Sequence, residues 1–226
     1  ITICKGKWKL RIVKASKVPL TFGGRAEFMI QNILPAVLTA HIKGVNLDDI
    51  QVALETFIPS PSQTPGRMNM FQLEDFQILL DYAHNPAGMR AIQKFTDKID
   101  AKVKVGIITG VGDRKAEDTK EIGRISAEMF DEIIIRQDRQ LRGRTAEEII
   151  GFLKEGIQKH NENKKTIVIK EEIEAVKHAI KHAQKGTLIV LCAEMVADVT
   201  RLIQDLQEEE SFSKSKTERK ETVKKG

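Results

Sequence analysis

The sequence predicts an α/β fold with a Rossmann-like, doubly wound and mostly parallel sheet over about residues 64–207. Short apolar runs alternate there with amphipathic segments of about 13 residues, and this alternation is typical of successive βαβ units. Polar loops follow three of the apolar runs, at residues 81–85, 110–114 and 136–144. Because the carboxyl ends of parallel strands share one edge of a sheet, where ligands bind in such folds, we expect these loops to lie along one rim.

A less regular region precedes the sheet. Residues 1–20 alternate loosely between apolar and polar side chains, which predicts one or two strands without evident partners. A helix is expected to begin at Phe28 or Asn32 and to continue to Ile42. If Asn32 is its N-cap, Pro35 lies in the first turn, where proline is tolerated. Asn32 could therefore have a purely structural role as a helix N-cap.

A second helix and a linker complete this first region. Asn46 is expected to cap a helix over residues 47–57, whose apolar residues recur on one face. Three prolines with intervening serines follow at residues 59–65. Such a composition is typical of a linker, so we predict a domain boundary near residue 63.

The predicted sheet region contains a regular series of elements. Strands are predicted at residues 68–73, 76–80, 103–108, 132–135, 166–169 and 188–192, and helices at 87–99, 117–130, 146–159, 171–184 and 194–206. The first two strands are expected to pair as a hairpin across Glu74 and Asp75. Thr145 is the expected N-cap of the third of these helices.

Composition excludes several classes of protein. With 226 residues, 41% of them hydrophobic and 31% charged, the chain is long enough to bury a core and resembles a globular protein. No apolar run approaches the roughly 18 residues of a membrane span, and the start is not a signal peptide. Cys4 and Cys192 match no metal or redox spacing, which predicts a cytosolic protein.

The net charge of +5 is concentrated at the end of the chain. From Ser211 onward six basic residues face two acidic ones, so the rest of the chain is nearly neutral. Lysine-rich polar ends are usually disordered, and we predict a charged, disordered tail over residues 208–226. Aromatic residues make up only 5% of the chain, and no nucleic-acid-binding signature accompanies the charge.

The turn after the second predicted strand is the first candidate site. Asn85 suits the N-cap and Pro86 the first position of the next helix. Asp81 and His84 would then lie at the carboxyl end of a strand, where they could hold a ribose hydroxyl or a phosphate. The alternative is that Asp81 and Asn85 only cap the helix and that His84 is a solvated turn residue.

The loop at residues 110–114 is the second candidate site. Gly110 and Gly112 resemble half of a dinucleotide fingerprint, but Lys115 stands where a third glycine or alanine is required. No Walker-type phosphate loop occurs in the sequence. Arg114 would therefore provide an auxiliary contact to a phosphate or carboxylate, or else pair with its neighbour Asp113 on the surface.

The loop at residues 136–144 is the third. It concentrates charged residues, namely Arg136, Asp138, Arg139, Arg142 and Arg144. Guanidinium groups suit carboxylates and phosphates, whereas a carboxylate could hold a cationic group. A solvated run of charges is the simpler explanation.

The histidines offer little evidence of a metal site. His178 and His182 are one helical turn apart, but no cysteine or carboxylate stands at ligand spacing from them.

Several strings together resemble the Mur ligase superfamily, in order and spacing, across about residues 18–207. They are Pro-Leu-Thr at 19–21, Gly-Arg-Ala-Glu-Phe at 24–28 with Asn32, Pro-Gly-Arg-Met-Asn at 65–69, Asp-Tyr-Ala-His-Asn-Pro-Ala at 81–87, Gly-Asp-Arg at 112–114, and 138–144 ending in Arg-Gly-Arg. The string at 81–87 is specific for the superfamily. Those at 65–69 and 142–144 resemble the members that add arginine to a polyaspartate backbone.

The resemblance implies an ATP-dependent, Mg²⁺-dependent amide ligase that forms an acyl phosphate. Residues 1–63 would be the end of a central ATP-binding domain and residues 64–207 the C-terminal Rossmann-like domain. By position, Asn32 would contact adenine, Arg67 and His84 would line the nucleotide site, and Asp81 would lie near the ribose. The residues expected to face the amino acid or the acyl acceptor are Arg114, Asp138, Arg142 and Arg144.

The resemblance also implies partners and limits. ATP, arginine and a polyaspartate-type polymer are the expected partners, with no nucleic acid and no membrane, and a homo-oligomer is possible through a full-length protein. The chain starts at Ile1 and lacks a phosphate loop and most Mg²⁺ ligands, so we expect an inactive fragment. Alternatives are a Mur-type ligase acting on peptidoglycan precursors or folate, and a non-catalytic binding module whose basic tail engages an acidic polymer.

Overall fold

The structure is a computed structural model that describes the backbone of residues 1–224 and the side chains up to Phe212. It contains two compact units. The first consists of Ile1–Gln63 and Arg90–Ile99, and the second of Thr64–Met89 and the chain from Asp100 onward. The sequence pattern did not predict that Arg90–Ile99 groups with the first unit.

The first unit begins with a β-hairpin. Strands β1 (Thr2–Lys5) and β2 (Trp8–Arg11) pair antiparallel, with Lys5 opposite Trp8. Gly6 in the intervening turn has φ +60°, a conformation that glycine adopts without strain. The two predicted strands are confirmed, and each pairs with the other. Two short 3₁₀ helices, Ala15–Lys17 and Pro19–Thr21, follow.

Helix α1 (Glu27–Ile42) begins earlier than Asn32 would allow as an N-cap. Asn32 lies in the second turn and Pro35 inside the helix, so the N-cap explanation of Asn32 is wrong. Glu27 occupies the first position of the helix. Its carboxylate interacts favourably with the positive end of the helix dipole and pairs with Lys98 at 2.6 Å. The helix therefore starts more than one turn before Asn32.

Helix α2 (Leu47–Thr56) starts as predicted, because the Asn46 side chain accepts a hydrogen bond from the Asp48 N–H at 3.1 Å. The core of the first unit is small. It comprises Ile3, Ile12, Val13, Val18, Ile33, Val37 and Ile50.

The second unit is built on a six-stranded sheet. Its strands are β3 (Asn69–Gln72), β4 (Phe76–Asp81), β5 (Val103–Ile108), β6 (Glu132–Ile135), β7 (Lys165–Val168) and β8 (Thr187–Cys192). They lie in the order β3-β4-β8-β5-β6-β7, and β3 is antiparallel to β4 while all other pairs are parallel. The predicted fold class and the predicted hairpin are confirmed.

The helices of this unit follow the strands in alternation. They are α4 (Ala116–Met129), α5 (Ala146–His160), α6 (Glu172–His182) and α7 (Val196–Lys224). Helix α3 (Pro86–Thr96) starts in this unit, but its residues from Arg90 onward belong to the first unit. Strand β8 is buried along its whole length, as its uninterrupted apolar sequence requires in the centre of a parallel sheet. On one face Ile189 and Leu191 of β8 pack in a cluster with α6 and α7. None of the helices in the described residues is long and apolar enough to cross a membrane.

Helix α7 is longer than predicted. The segment for which the lysine-rich composition predicts disorder continues this helix as far as Lys224, while residues 225 and 226 lie outside the described residues. Contacts with the β3–β4 hairpin stabilise the first turn of this extension. The Gln207 amide donates to the Gln72 carbonyl at 2.8 Å, and the Glu210 carboxylate accepts from the Glu74 N–H at 3.0 Å.

Helices α4 and α5 approach each other unusually closely at two glycines. A Cβ atom built on Gly156 would lie 1.9 Å from the carbonyl oxygen of Lys120, and one built on Gly123 would lie 2.2 Å from that of Leu153. Only glycine permits backbones to come this near. The spacing of α4 and α5 therefore depends on these two residues.

The N-terminus of α5 is closed by a capping box. The Thr145 hydroxyl accepts from the Glu148 N–H at 3.2 Å, and the Glu148 carboxylate accepts from the Thr145 N–H at 2.8 Å. We expect Thr145→Ala to lower the free energy of unfolding by about 1 kcal/mol. Urea denaturation would measure it, with Thr145→Ser as the control that retains the hydroxyl. Equal stability of Thr145→Ala and the wild type would contradict the prediction.

Candidate functional site

Three buried residues, Gly66, Met68 and Asn69, fix the backbone of the turn that precedes β3. Gly66 has φ +67° and its N–H donates to the Asn69 side chain at 2.8 Å. The Asn69 amide in turn donates to the Thr64 carbonyl at 2.9 Å. Met68 is fully buried, with φ +53°, while Arg67 between these residues is exposed. The turn thus presents the guanidinium group of Arg67 at the surface.

Asp81, at the end of β4, connects to this turn. Its carboxylate accepts a hydrogen bond from the Met68 N–H at 3.0 Å and is 9% exposed. Burial raises the pKa of Asp81 above its usual range, although the Met68 N–H and the charge of Arg67 oppose this rise. Asp81 does more than cap a helix, since it joins the 65–69 turn to the strand end.

Tyr82 and His84 complete this part of the rim. The Arg67 guanidinium lies 5.2 Å from the centroid of the Tyr82 ring, and the Tyr82 and His84 rings are 5.3 Å apart in an edge-on arrangement. His84 Nδ1 lies 3.0 Å from the Tyr82 carbonyl oxygen. The structure therefore brings Arg67, Asp81 and His84 together, and two planar groups beside a cation could contact a flat or anionic ligand.

Asn85 provides a cap for helix α3. Its side chain accepts from the Gly88 N–H at 2.8 Å, and Pro86 is the first residue of α3. The predicted N-cap is confirmed. The alternative in which Asp81 is also only a cap is wrong, because its side chain accepts from the Met68 N–H in the turn that precedes β3.

The loops at residues 110–114 and 136–144 contact each other. Arg142 pairs with Asp113 at 2.6 Å, and this contact raises the pKa of Arg142, with smaller effects of Asp138 and Tyr82. Arg144 donates to the carbonyls of Gly112 at 3.0 Å and Arg114 at 3.3 Å. The surface pair of Asp113 is therefore Arg142, not its neighbour Arg114.

Backbone geometry makes this contact specific. A Cβ atom on Gly112 would lie 1.8 Å from the carbonyl oxygen of Leu141, so only glycine fits. Arg142 has φ +45°, a conformation that costs free energy in a residue with a side chain, and Gly143 follows at φ +89°. The Arg-Gly-Arg string thus forms a strained turn that directs two guanidinium groups to the neighbouring loop.

Arg114 and Asp138 differ in their surroundings. Among the described side chains, the buried Nε–H of Arg114 has no hydrogen-bond partner, so it is available to an acceptor. Asp138 is buried, and one of its oxygens accepts from the Gln140 N–H at 2.7 Å. Burial raises the pKa of Asp138, and nearby Glu194 adds to the rise. The paired loops therefore contain both a donor and carboxylates.

The largest difference from the sequence interpretation is Arg136. This residue is 2% exposed, whereas a solvated run of charges predicts an exposed side chain. Its Nη1 atom lies 3.3 Å from Glu172 and 3.5 Å from Glu194, and its Nη2 atom donates to the Cys192 carbonyl at 2.9 Å. The sequence pattern gave no indication that Glu172 and Glu194 belong to this site. The only available signal was an arginine directly after the buried strand β6.

The remaining predicted positions lie elsewhere. Asn32 is exposed on α1 within the first unit. The rings of His178 and His182 lie 4.2 Å apart. In the part of the chain that the structure describes, no group of three or more histidine, cysteine, aspartate or glutamate residues is arranged to hold a metal ion.

Comparison with known proteins identifies the family of the segment that contains this rim. Residues 66–195, which include both loops and the Asp81 turn, match the family model of the Mur ligase, glutamate ligase domain. The chain belongs to the Mur ligase family. The resemblance of the sequence strings to Mur ligases is thereby confirmed.

Curated relatives within the Mur ligases refine the comparison. The chain is 40% identical over 203 residues to the cyanophycin synthetase of Crocosphaera subtropica, a match that covers 90% of the chain and 23% of that protein. It is 30% identical over 187 residues to a UDP-N-acetylmuramoyl-L-alanyl-D-glutamate--2,6-diaminopimelate ligase of Caldanaerobacter subterraneus, covering 82% and 37%. The chain therefore spans about a quarter of the length of the cyanophycin synthetases that it matches.

Solved Mur ligase structures share the fold. The pseudomurein peptide ligase type C from Methanothermus fervidus matches with a TM-score of 0.59 at 22% identity, over 79% of this chain and 36% of that chain. At this identity the match supports the fold alone.

Proposed function

We propose that this chain is the C-terminal portion of an ATP-dependent amide ligase of the cyanophycin synthetase type. The ligase would join arginine to the aspartate side-chain carboxylates of a polyaspartate backbone. Residues 1–63 would be the end of a central ATP-binding domain, and residues 64–207 the C-terminal domain. The proposal is supported by 40% identity to a cyanophycin synthetase over 90% of the chain.

The observation that supports arginine as the substrate is the mixed charge of the two contacting loops, at residues 110–114 and 136–144. Arg114 offers an unpartnered buried N–H, and the exposed guanidinium of Arg142, which pairs with Asp113 through Nη1, has further N–H groups; both suit the α-carboxylate of an amino acid. Asp138 and Glu194 offer carboxylates suited to a cationic side chain. A zwitterion with a guanidinium side chain would satisfy both sets of charges.

The proposed chemistry proceeds in two displacement steps. An aspartate carboxylate oxygen attacks the γ-phosphorus of ATP and releases ADP, which gives an acyl phosphate. The α-amine of arginine then attacks the acyl carbon, phosphate leaves, and the nitrogen loses a proton to give the amide. In this scheme Asn32 contacts adenine, Arg67 and His84 line the nucleotide, and Asp81 lies near the ribose. Arg144 would join the 136–144 loop to the 110–114 loop through the Gly112 and Arg114 carbonyls that it contacts.

The proposal includes a Mg²⁺ ion, which would neutralise phosphate charge, with ligands mainly from sequence upstream of residue 1. It also includes a cytosolic location, which both free cysteines, Cys4 and Cys192, support. No nucleic acid is a partner. A homo-oligomer would form through the full-length protein.

Phosphate release tests this proposal. The full-length protein that contains this chain is assayed with ATP, Mg²⁺ and a polyaspartate primer, with arginine, lysine, glutamate or no amino acid. We expect release that requires both arginine and primer, and none from the 226-residue chain by itself. Release that depends on a different amino acid would instead favour another Mur-type ligase, and activity of the isolated chain would contradict the predicted inactivity.

Arg142 gives a residue-level prediction. Because its guanidinium is exposed and the neighbouring loops suit an amino acid, Arg142→Ala should raise KM for arginine about tenfold, as expected for a charged hydrogen bond. KM for ATP should change less than twofold. Arg139→Ala, which removes another exposed guanidinium from the same loop, is the matched control. Equal effects of both substitutions would place the amino acid elsewhere.

A further inference from the structure

We propose that Arg136 is a positioning residue that sets the affinity of the ligase for its amino acid and leaves the affinity for nucleotide unchanged. Arg136 would act through Glu194 and the backbone of the 136–144 loop, without touching substrate. This inference rests on the proposed function, because it assigns that loop to the amino-acid side of the site.

Arg136 joins the ends of two strands that are not neighbours. It directly follows β6, and its Nε and Nη2 atoms donate to the Cys192 carbonyl at the end of β8, at 3.3 and 2.9 Å. Strand β5 lies between β6 and β8 in the sheet. The Arg136 side chain therefore spans the rim and fixes the 136–144 loop relative to the segment that follows β8.

The same guanidinium organises the start of α7. Its Nη1 atom pairs with Glu172, the first residue of α6, whose side chain is 3% exposed. Glu172 in turn accepts from the backbone N–H groups of Glu194 and Met195, at 3.0 and 3.1 Å. These bonds determine the direction in which the Glu194 side chain leaves the backbone.

Glu194 completes the connection to the 136–144 loop. One of its carboxylate oxygens lies 3.5 Å from Arg136 Nη1 and accepts from the Arg139 N–H at 3.1 Å. Arg139 directly follows Asp138, which is buried beside the same network. A continuous series of contacts thus runs from Arg136 through Glu194 to the backbone next to Asp138.

Carboxylates outnumber guanidinium groups in this network. One guanidinium faces three carboxylates, those of Asp138, Glu172 and Glu194. Without the guanidinium, Glu194 and Asp138 would repel each other and move apart. A lysine at this position would keep the charge but lacks the planar fork that contacts the Cys192 carbonyl and both glutamates together.

The test uses Arg136→Lys in the full-length protein, with Arg124→Lys as a matched control. Arg124 is a surface residue of α4 that pairs with Glu121 and Glu128. We expect Arg136→Lys to raise KM for arginine at least fivefold, with KM for ATP within twofold of the wild type and both constants unchanged in Arg124→Lys. Glu194→Gln should reproduce the KM effect. Unchanged KM for arginine, or an equal rise in both constants, would overturn the proposal.

A second measurement separates this proposal from the proposed function. In the 226-residue chain, the amide hydrogen of Arg139 should exchange at least tenfold faster in Arg136→Lys and Glu194→Gln than in Arg124→Lys. If the wild-type ligase shows no arginine-dependent phosphate release, the proposed function fails, but faster exchange would still support positioning of the loop by Arg136. Equal exchange in all variants would overturn the positioning role itself.

Discussion

Gly156→Ala is expected to lower the free energy of unfolding by about 3 kcal/mol, and thus the Tm by roughly 6–12 °C. The added methyl group would lie 1.9 Å from the carbonyl oxygen of Lys120, so α4 and α5 must move apart. The clash is with backbone, which cannot rotate away as a long side chain would. Thermal and urea denaturation followed by circular dichroism would measure the effect.

Gly151→Ala is the control on the same helix. No atom lies within 4 Å of the position of its added Cβ, and the residue is exposed. Because alanine is a better helix former than glycine, this variant should be more stable than the wild type by about 0.5–1 kcal/mol. Stabilisation by both substitutions would show that the two helices are not as close as described.

Arg136→Met is expected to destabilise the fold by about 3–5 kcal/mol, the range typical of removing one partner of a buried ion pair. Glu172 would remain buried without a countercharge, and the Cys192 carbonyl would lose its donor. Methionine has a similar length, so lost packing contributes little. Urea denaturation is the measurement, and Arg124→Met at the exposed pair on α4 is the control.

The destabilisation of Arg136→Met should also depend on pH. Burial already raises the pKa of Glu172, and Arg136 opposes this rise. A carboxyl group whose pKa is higher in the folded than in the unfolded state favours folding at low pH, and this contribution is lost as pH rises through the folded-state value. Without Arg136 the folded-state pKa rises further, so the variant should lose more stability at about pH 8 than at about pH 5.

The double variant Arg136→Met with Glu172→Gln isolates the cause. The neutral amide needs no countercharge, so the extra pH dependence should disappear and part of the stability should return. A pH dependence that persists in the double variant would assign it to Asp138 instead, whose pKa burial also raises.

Local signals in the sequence were sufficient for most elements. The apolar runs predicted the six strands of the sheet, and Asn46, Asn85 and Thr145 predicted three helix caps, because a cap involves residues only two or three positions apart. Asn32 failed as a cap because the helix already starts at Glu27, whose side chain pairs with Lys98, a residue 71 positions away. Helix α7 also continues past its predicted end, where Gln207 contacts Gln72, a residue 135 positions away.

The candidate site divides in the same way. Its strings at residues 65–69, 81–87, 112–114 and 138–144 indicated the family and the rim of the sheet from the sequence alone. The partners of their side chains were not predictable, because Asp113 meets Arg142 across 29 positions and Arg136 meets Cys192 across 56. A charged loop has one composition whether its arginines are solvated or buried.

The sequence by itself therefore determined the fold class, the family resemblance and the edge of the sheet at which the chemistry is expected. These follow from periodicity, capping and short strings, which are properties of neighbouring residues. Only the tertiary structure decided that Arg136 is buried against Glu172 and Glu194, and that Gly156 meets the backbone of α4. Burial and close backbone approach depend on which distant segments come together, and no local pattern encodes that choice.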